Sequence, residues 1–257
     1  MAINPILAVI FDMGGTLEDL SFDDAIRKDA TRGLRECLQG LELDPGLSLP
    51  DLQATFLSGI EAYQIWRDES ERELPPERVW RNYIFPDHGL SPERLEAAAE
   101  EVMFFCETHY QIRRLRPEAV AALDSLQKEG IRLAIISNIV SRELVPRQLA
   151  EYGIAHYFDP IITSSSFGWR KPNVRIFDEA ARLMQLPPEA CAYVGDTVSR
   201  DVIGARRAGY RLAIQIRSSL TDKSDRGTDH VPPDAVITDL TQVVDVIAPY
   251  AEASHGH

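Results

Sequence analysis

The run Ile6-Leu7-Ala8-Val9-Ile10-Phe11 ends abruptly in Asp12-Met13-Gly14-Gly15-Thr16. A short apolar segment bounded by glycines reads as a buried strand. A carboxylate just past its C-terminal end sits where open α/β sheets bind ligands. Gly14 and Gly15 allow the backbone to turn there and approach a ligand closely. On this stretch alone Asp12 could equally be no more than the polar end of a strand, so the other sheet ends must decide.

From Arg116 onward the chain alternates helix and strand. Pro117 opens a helix with Val120, Leu123 and Leu126 on one face, which Gly130 stops. Ile131 to Ile136 is a second buried strand, closed by Ser137 and Asn138. A helix from Arg142 to Tyr152 leads to a strand near Pro160 to Thr163, then to the loop Phe167-Gly168-Trp169-Arg170-Lys171-Pro172 and a helix from Val174 to Met184. Cys191 to Val194 forms the next strand, closed by Gly195-Asp196-Thr197. A helix over Asp201 to Ala208, strands at Leu212 to Ile216 and Ala235 to Ile237, and a helix ending near Ala248 complete the series. Such alternation predicts an α/β fold with a doubly wound, Rossmann-like parallel sheet.

Between Leu20 and about Gln111 the apolar spacing becomes three and four residues, with hardly any β-branched runs, which predicts an all-helical insertion. Ser91-Pro92-Glu93 is one helix start, a capping hydroxyl followed by proline and acid. The expected division is therefore a core of residues 1–19 and 112–250, a helical insertion of residues 20–111 and a disordered tail at 251–257. The polar stretch 223–231 reads as a mobile surface loop.

The chain has 257 residues, 44% of them hydrophobic, enough to bury a sizeable core. No apolar run approaches the roughly 20 residues needed to span a bilayer, and no basic segment leads into a cleavable apolar one, so a soluble cytoplasmic protein is expected. Cys37, Cys106 and Cys191 lie far apart and suggest neither disulfides nor a zinc site. They read as buried small hydrophobes. A net charge of -13 argues against a nucleic-acid partner, since no basic surplus exists to replace condensed counterions. An anionic small molecule would need a local cluster of cations or a metal.

Parallel strands bring Asp12, Ser137 and Asp196 to one sheet edge, with Lys171 from a neighbouring loop. Two carboxylates, a lysine and a hydroxyl suit phosphoryl transfer: one carboxylate attacks phosphorus, another holds a hard Mg²⁺, and lysine and hydroxyl neutralise phosphoryl oxygens. In these features the chain resembles the haloacid dehalogenase superfamily, in the branch with a helical cap inserted after the first motif. Asp12-Met13-Gly14-Gly15-Thr16 matches the first motif, Ser137 with Asn138 the second, Lys171-Pro172 the third, and Gly195-Asp196 with Asp201 the fourth.

The resemblance implies an Asp12 nucleophile that becomes an aspartyl phosphate, with Ser137 and Lys171 as its catalytic partners. Gly15, Thr16 and Asn138 are expected to contact substrate. Asp12, the Gly14 carbonyl and Asp196 would hold Mg²⁺, with Asp201 as a ligand or a support. The implied partner is a small phosphorylated molecule, bound by a monomer or homodimer.

One position departs from the pattern. Phosphatases of the family carry a second aspartate, a general acid and base, where this chain has Gly14. Three accounts are open. The enzyme could act on good leaving groups, or borrow an acid from Glu18, Asp19, Asp23 or Asp24; its chemistry could be dehalogenation or phosphonate cleavage; or it could be a weakened relative that binds a phosphorylated ligand or a protein. Retained metal-site acids count against dehalogenation, and the sole insertion lysine, Lys28, reads as a helix-surface residue rather than a Schiff base. Tyr63, Trp66, Arg67, Trp80, Arg81, Tyr83 and His88 are candidates for substrate selection, though packing between helices is the expected role. Arg142 could reach the site or lie on the surface.

Overall fold

A computed structural model describes residues 5–86, 88–218 and 231–250. Six parallel strands form one sheet in the order β5-β4-β1-β6-β7-β8. They are β1 (Ala8–Phe11), β4 (Arg132–Ser137), β5 (Phe158–Thr163), β6 (Cys191–Gly195), β7 (Leu212–Ile216) and β8 (Ala235–Ile237). The expected doubly wound sheet is present, because alternate residues of each buried strand feed separate layers. Val9 and Phe11 pack with Leu123, Leu126 and Val145 on one face. Ala8 and Ile10 pack with Ile176, Phe177 and Ala180 on the other. The first layer uses helices α5 (Ala119–Lys128) and α6 (Leu144–Glu151), and the second uses α7 (Val174–Met184).

Four helices precede this series: α1 (Asp24–Gly40), α2 (Leu49–Ser70), α3 (Pro76–Val79) and α4 (Pro92–His109), with a π-helical turn at Trp80–Ile84. Their starts follow local chemistry. Asp23 accepts from Ile26 N at 2.8 Å, and Ser48 and Ser91 accept from Asp51 N and Arg94 N. The cap has its own core of Leu34, Leu38, Leu52, Phe56, Tyr63, Trp80 and Val102. Cys106 and Cys191 are buried as expected, whereas Cys37 is half-buried.

The insertion is not helical from its first residue. Leu20 and Ser21 belong to β2 (Glu18–Ser21), which pairs antiparallel with β3 (Ile112–Leu115). Neither segment carries a β-branched run. The ribbon is set instead by cross-strand partners, Asp19 opposite Arg114 and Leu20 opposite Arg113, which periodicity cannot reveal. The tail expected at 251–257 lies outside the described residues, as does the loop expected at 223–231 apart from Val231.

Two sets of polar contacts tie helices to the sheet edge. Glu73, buried just after α2, accepts from Tyr63 Oη, from Ser164 Oγ at 2.6 Å and from Arg170 Nη1. Glu100 on α4 accepts from Ser141 Oγ at 2.6 Å and from the Arg142 and Glu143 amides at 3.2 Å, ahead of α6. Arg170 immediately precedes Lys171, so the Glu73 pair positions that loop. Removing one member of a buried ion pair leaves the other uncompensated. Arg170→Met is therefore expected to lower stability by about 3–5 kcal/mol, read as a reduced midpoint in urea denaturation.

Candidate active site

Asp12 follows β1, Ser137 ends β4, and Asp196 follows β6, three adjacent strands in the sheet. Their convergence is a direct result of parallel pairing, in which Phe11 is level with both Ile135 and Val194. Lys171 reaches the same edge and is almost fully buried. Its Nζ lies 2.7 Å from Asp12 Oδ1 and 2.7 Å from Asp201 Oδ1. It also donates to Tyr193 Oη at 2.9 Å and Ile136 O at 3.2 Å.

Asp12, Asp196 and Asp201 offer oxygens that all lie within 4.8 Å of one another. An octahedral Mg²⁺ shell at 2.0–2.1 Å spans about 4 Å, so this hard oxygen set fits such an ion with small side-chain movements. The backbone is tailored to hold the acids together. A Cβ at Gly15 would stand 2.3 Å from Asp196 Oδ2, and one at Gly195 would stand 2.3 Å from Asp201 Cγ.

Crowding and burial set the electrostatics. Burial raises the Asp12 carboxyl above its ordinary range, Lys171 opposes this and Asp201 adds to it. Asp196 is pushed up to about 7 by burial, then by Asp201 and Asp12. Asp201 is also buried, yet Lys171 and Arg200 hold it below its usual range. Three carboxylates thus share two nearby cations, an arrangement that a divalent cation would balance.

The remaining expected residues divide. Asn138 donates to Lys171 O at 3.0 Å and accepts from Lys171 N at 2.9 Å, so its amide clamps the lysine backbone. Thr16 is fully buried and does not line the cavity, and Gly15 accepts from Arg116 through its carbonyl. Asp201 Oδ2 accepts from both Thr197 N and Thr197 Oγ1, at 3.0 and 2.7 Å, which makes Asp201 a support for the 195–197 turn and for Lys171.

A cavity of 380 Å³ opens above Asp12, lined by Gly14, Ser137, Asn138 and Lys171 from the core. Phe56, Ile60, Arg67, Met103, Glu107 and Tyr110 line it from the cap. Of the cap candidates only Arg67 lines it. Tyr63 and Trp80 are fully buried among other rings, with Trp66 and Tyr83 packed against Tyr63. Arg142 lies 3.8 Å from Glu77 at the surface, and Lys28 is exposed. None of the four acids beyond the first motif lines the cavity. Asp23 caps α1, Asp24 is exposed, Asp19 lies 3.2 Å from Arg116, and Glu18 is fully buried against Arg113 at 2.7 Å.

Sequence reading missed Tyr193, Arg113, Arg200 and Glu107. Arg200 sits between two acids already singled out, and that spacing was the available signal. Glu107 had none, because it is one of several acids on α4 and only folding aims it at the amides of Val140 and Ser141, at 3.0 and 2.8 Å.

Residues 6–209 match the family described as haloacid dehalogenase-like hydrolase. A glyceraldehyde 3-phosphate phosphatase of Methanothermobacter thermautotrophicus is 30% identical over 246 residues, covering 93% of this chain and 99% of that protein. A phosphoserine phosphatase of Thermus thermophilus is 35% identical over 188 residues, covering 72% of this chain and 68% of that protein. The solved structure of a 2-haloacid dehalogenase from Pseudomonas syringae superposes with a TM-score of 0.67 over 96% of this chain and all 100% of that one. At 24% identity it establishes the shared fold alone. Among the described residues no helix is long and apolar enough to cross a membrane.

Glu107 gives this site a measurable pH signature. Burial pushes its carboxyl up to about 7 against the Ser141 and Val140 amides and Arg113, while Glu73 raises it further. A carboxyl raised on folding stabilises fully below its unfolded value, and that contribution is lost as pH rises through the folded value. Between about pH 4.5 and pH 7 the native protein is expected to lose on the order of 2–3 kcal/mol from this group. Denaturation of wild type and Glu107→Gln across this range checks it, the variant lacking that slope.

Proposed function

Because this chain belongs to the haloacid dehalogenase-like hydrolases, we propose that it is a Mg²⁺-dependent phosphatase that transfers a phosphoryl group from a small phosphorylated metabolite to Asp12 and then to water. The observation that carries this reading is Lys171 Nζ, 2.7 Å from both Asp12 and Asp201 at the floor of the cavity. Relatives named for glyceraldehyde 3-phosphate, phosphoserine and phosphoglycolate support a small phosphorylated substrate.

Asp12 meets the phosphorus from the sheet side. An anionic nucleophile and an anionic phosphate repel, so cationic neutralisation is the main requirement at this site. Lys171 supplies one charge, held in place by the Asn138 clamp on its backbone and by Tyr193 and Ile136 on its ammonium. Ser137 lines the cavity next to it and donates its hydroxyl to a phosphoryl oxygen. Asp12, Asp196 and the Gly14 carbonyl would hold Mg²⁺, which when bound would add positive charge next to the phosphoryl group. Asp201 holds Lys171 and the 195–197 turn rather than the substrate. The attack places phosphate on the Asp12 carboxylate, and water then releases it as inorganic phosphate.

The cavity walls favour an anionic substrate of modest size. Among the described residues Arg27, Arg67, Arg113, Lys171 and Arg200 line it, against the carboxylates Asp12 and Glu107. This local excess of cations stands in a chain whose net charge is -13.

Phosphate release from a panel of acyl, aryl, sugar and alkyl phosphates tests the reading. Release is expected to require Mg²⁺, to stop with a chelator, and to fall by about 10⁴-fold or more in Asp12→Asn. Release that survives Asp12→Asn overturns it. An absence of turnover in wild type would instead favour a protein that binds phosphorylated ligands.

A further inference from the structure

A guanidinium occupies the space beside Gly14. A Cβ built on Gly14 would stand 3.7 Å from Arg113 Nη1 and 3.2 Å from Leu20 Cδ1. Arg113 comes from β3 and Leu20 from β2, paired opposite each other, so the ribbon at the base of the cap sets what faces Gly14. Arg113 is nearly buried and anchored. Its Nη1 donates to Glu18 Oε2 at 2.7 Å and its Nε to Glu107 O at 3.0 Å. Glu18 is held in turn by Tyr152 Oη at 2.9 Å. These contacts engage two of the five N–H groups of the guanidinium, and Arg113 lines the cavity together with Asp12 and Gly14.

The direction of reaction gives that position its meaning. Phosphoryl transfer runs in line, so a group attacked by Asp12 expels its leaving oxygen away from the sheet into the cavity. Among the described cations that line the cavity, Arg113 is the one that lies within 4 Å of a Cβ built at Gly14. Among the described residues the carboxylates on the cavity wall are Asp12 itself and Glu107, whose two oxygens are both engaged by backbone amides.

We propose that Arg113 is a catalytic residue that stabilises the leaving oxygen as an anion, making this chain a phosphatase for acyl phosphates, whose leaving group is a carboxylate. This rests on the Asp12 phosphatase reading above. Arginine recognises a carboxylate through parallel N–H donors and stays charged, so it neutralises an oxyanion without delivering a proton.

The steps balance without a general acid. The Asp12 carboxylate bonds to phosphorus, the bond from phosphorus to the acyl oxygen breaks, and its electron pair leaves with the carboxylate beside Arg113. Water then bonds to phosphorus, the bond to Asp12 breaks, and Asp12 regains its carboxylate. Both water protons depart on dihydrogen phosphate. An alkyl phosphate would instead expel an alkoxide, which is far too basic to leave unprotonated.

The test is phosphate release from acetyl phosphate, a graded series of aryl phosphates, and glycerol phosphate. In wild type the rate is expected to fall steeply as the leaving group becomes more basic. Arg113→Gln should steepen that dependence, losing about 10²-fold on the most basic phenol and less than about tenfold on acetyl phosphate. A merely structural role would lower all rates by one factor. Because the single variant strands the buried Glu18, the double variant Glu18→Gln/Arg113→Gln carries the same measurement if the single one does not fold.

Gly14→Asp is expected to gain nothing on glycerol phosphate, since the new carboxylate would pair with Arg113 and remain ionised. A uniform loss in the Arg113 variants overturns the proposal. So does equal turnover of glycerol and acetyl phosphates by wild type, or a loss in Glu107→Gln confined to basic leaving groups. Release that persists in Asp12→Asn removes the phosphatase reading itself, whereas an Arg113-independent slope with Asp12 essential removes the role of Arg113 alone.

Discussion

Lys171 is the charge on which the site depends. Three carboxylates within 4.8 Å of one another would repel strongly in a buried setting, and the ammonium that lies 2.7 Å from two of them makes their approach tolerable. Its position is overdetermined. Asn138 clamps the backbone, Tyr193 and Ile136 accept from the ammonium, and the preceding Arg170 is tied to Glu73. A flexible four-carbon side chain becomes a fixed charge because everything around it is packed.

The same network links the cap to the chemistry. Glu73 and Glu100 bring α2 and α4 onto loops that follow strands of the sheet, so cap residues meet the site at defined places. Arg67 and Glu107 therefore share a cavity with Asp12 although they lie on helices far from it in sequence. The β2–β3 ribbon lines that cavity through Leu20 and Arg113. Its buried Glu18–Arg113 pair is a strong local constraint, since neither charge can lose the other without a large penalty.

Gly14 and Arg113 make sense together. A carboxylate at position 14 would face a guanidinium already committed to Glu18, and a proton donor cannot function well beside a cation that favours its ionised form. In the reaction proposed above, Lys171 and Ser137 handle the phosphoryl charge, and Arg113 stands as a fixed positive charge beside Gly14. Under that proposal the preferred substrates are those whose leaving group needs no proton.

Much of this protein is written in its local sequence. The parallel core follows from short apolar runs closed by Asp12, Ser137 and Asp196, and the helix at Val174–Met184 and strand at Leu212–Ile216 have the bounds their periodicity implies. The order of strands then brings the acids together, because parallel pairing puts every C-terminal end on one edge. Tertiary structure alone decided the β2–β3 ribbon, the clamp of Asn138 on Lys171, the burial of Thr16 and the aim of Glu107. Periodicity records which face of a segment is buried. It cannot record that Glu18 and Arg113, 95 residues apart, meet in an ion pair beside Gly14, because that contact exists only once the sheet and the cap have packed.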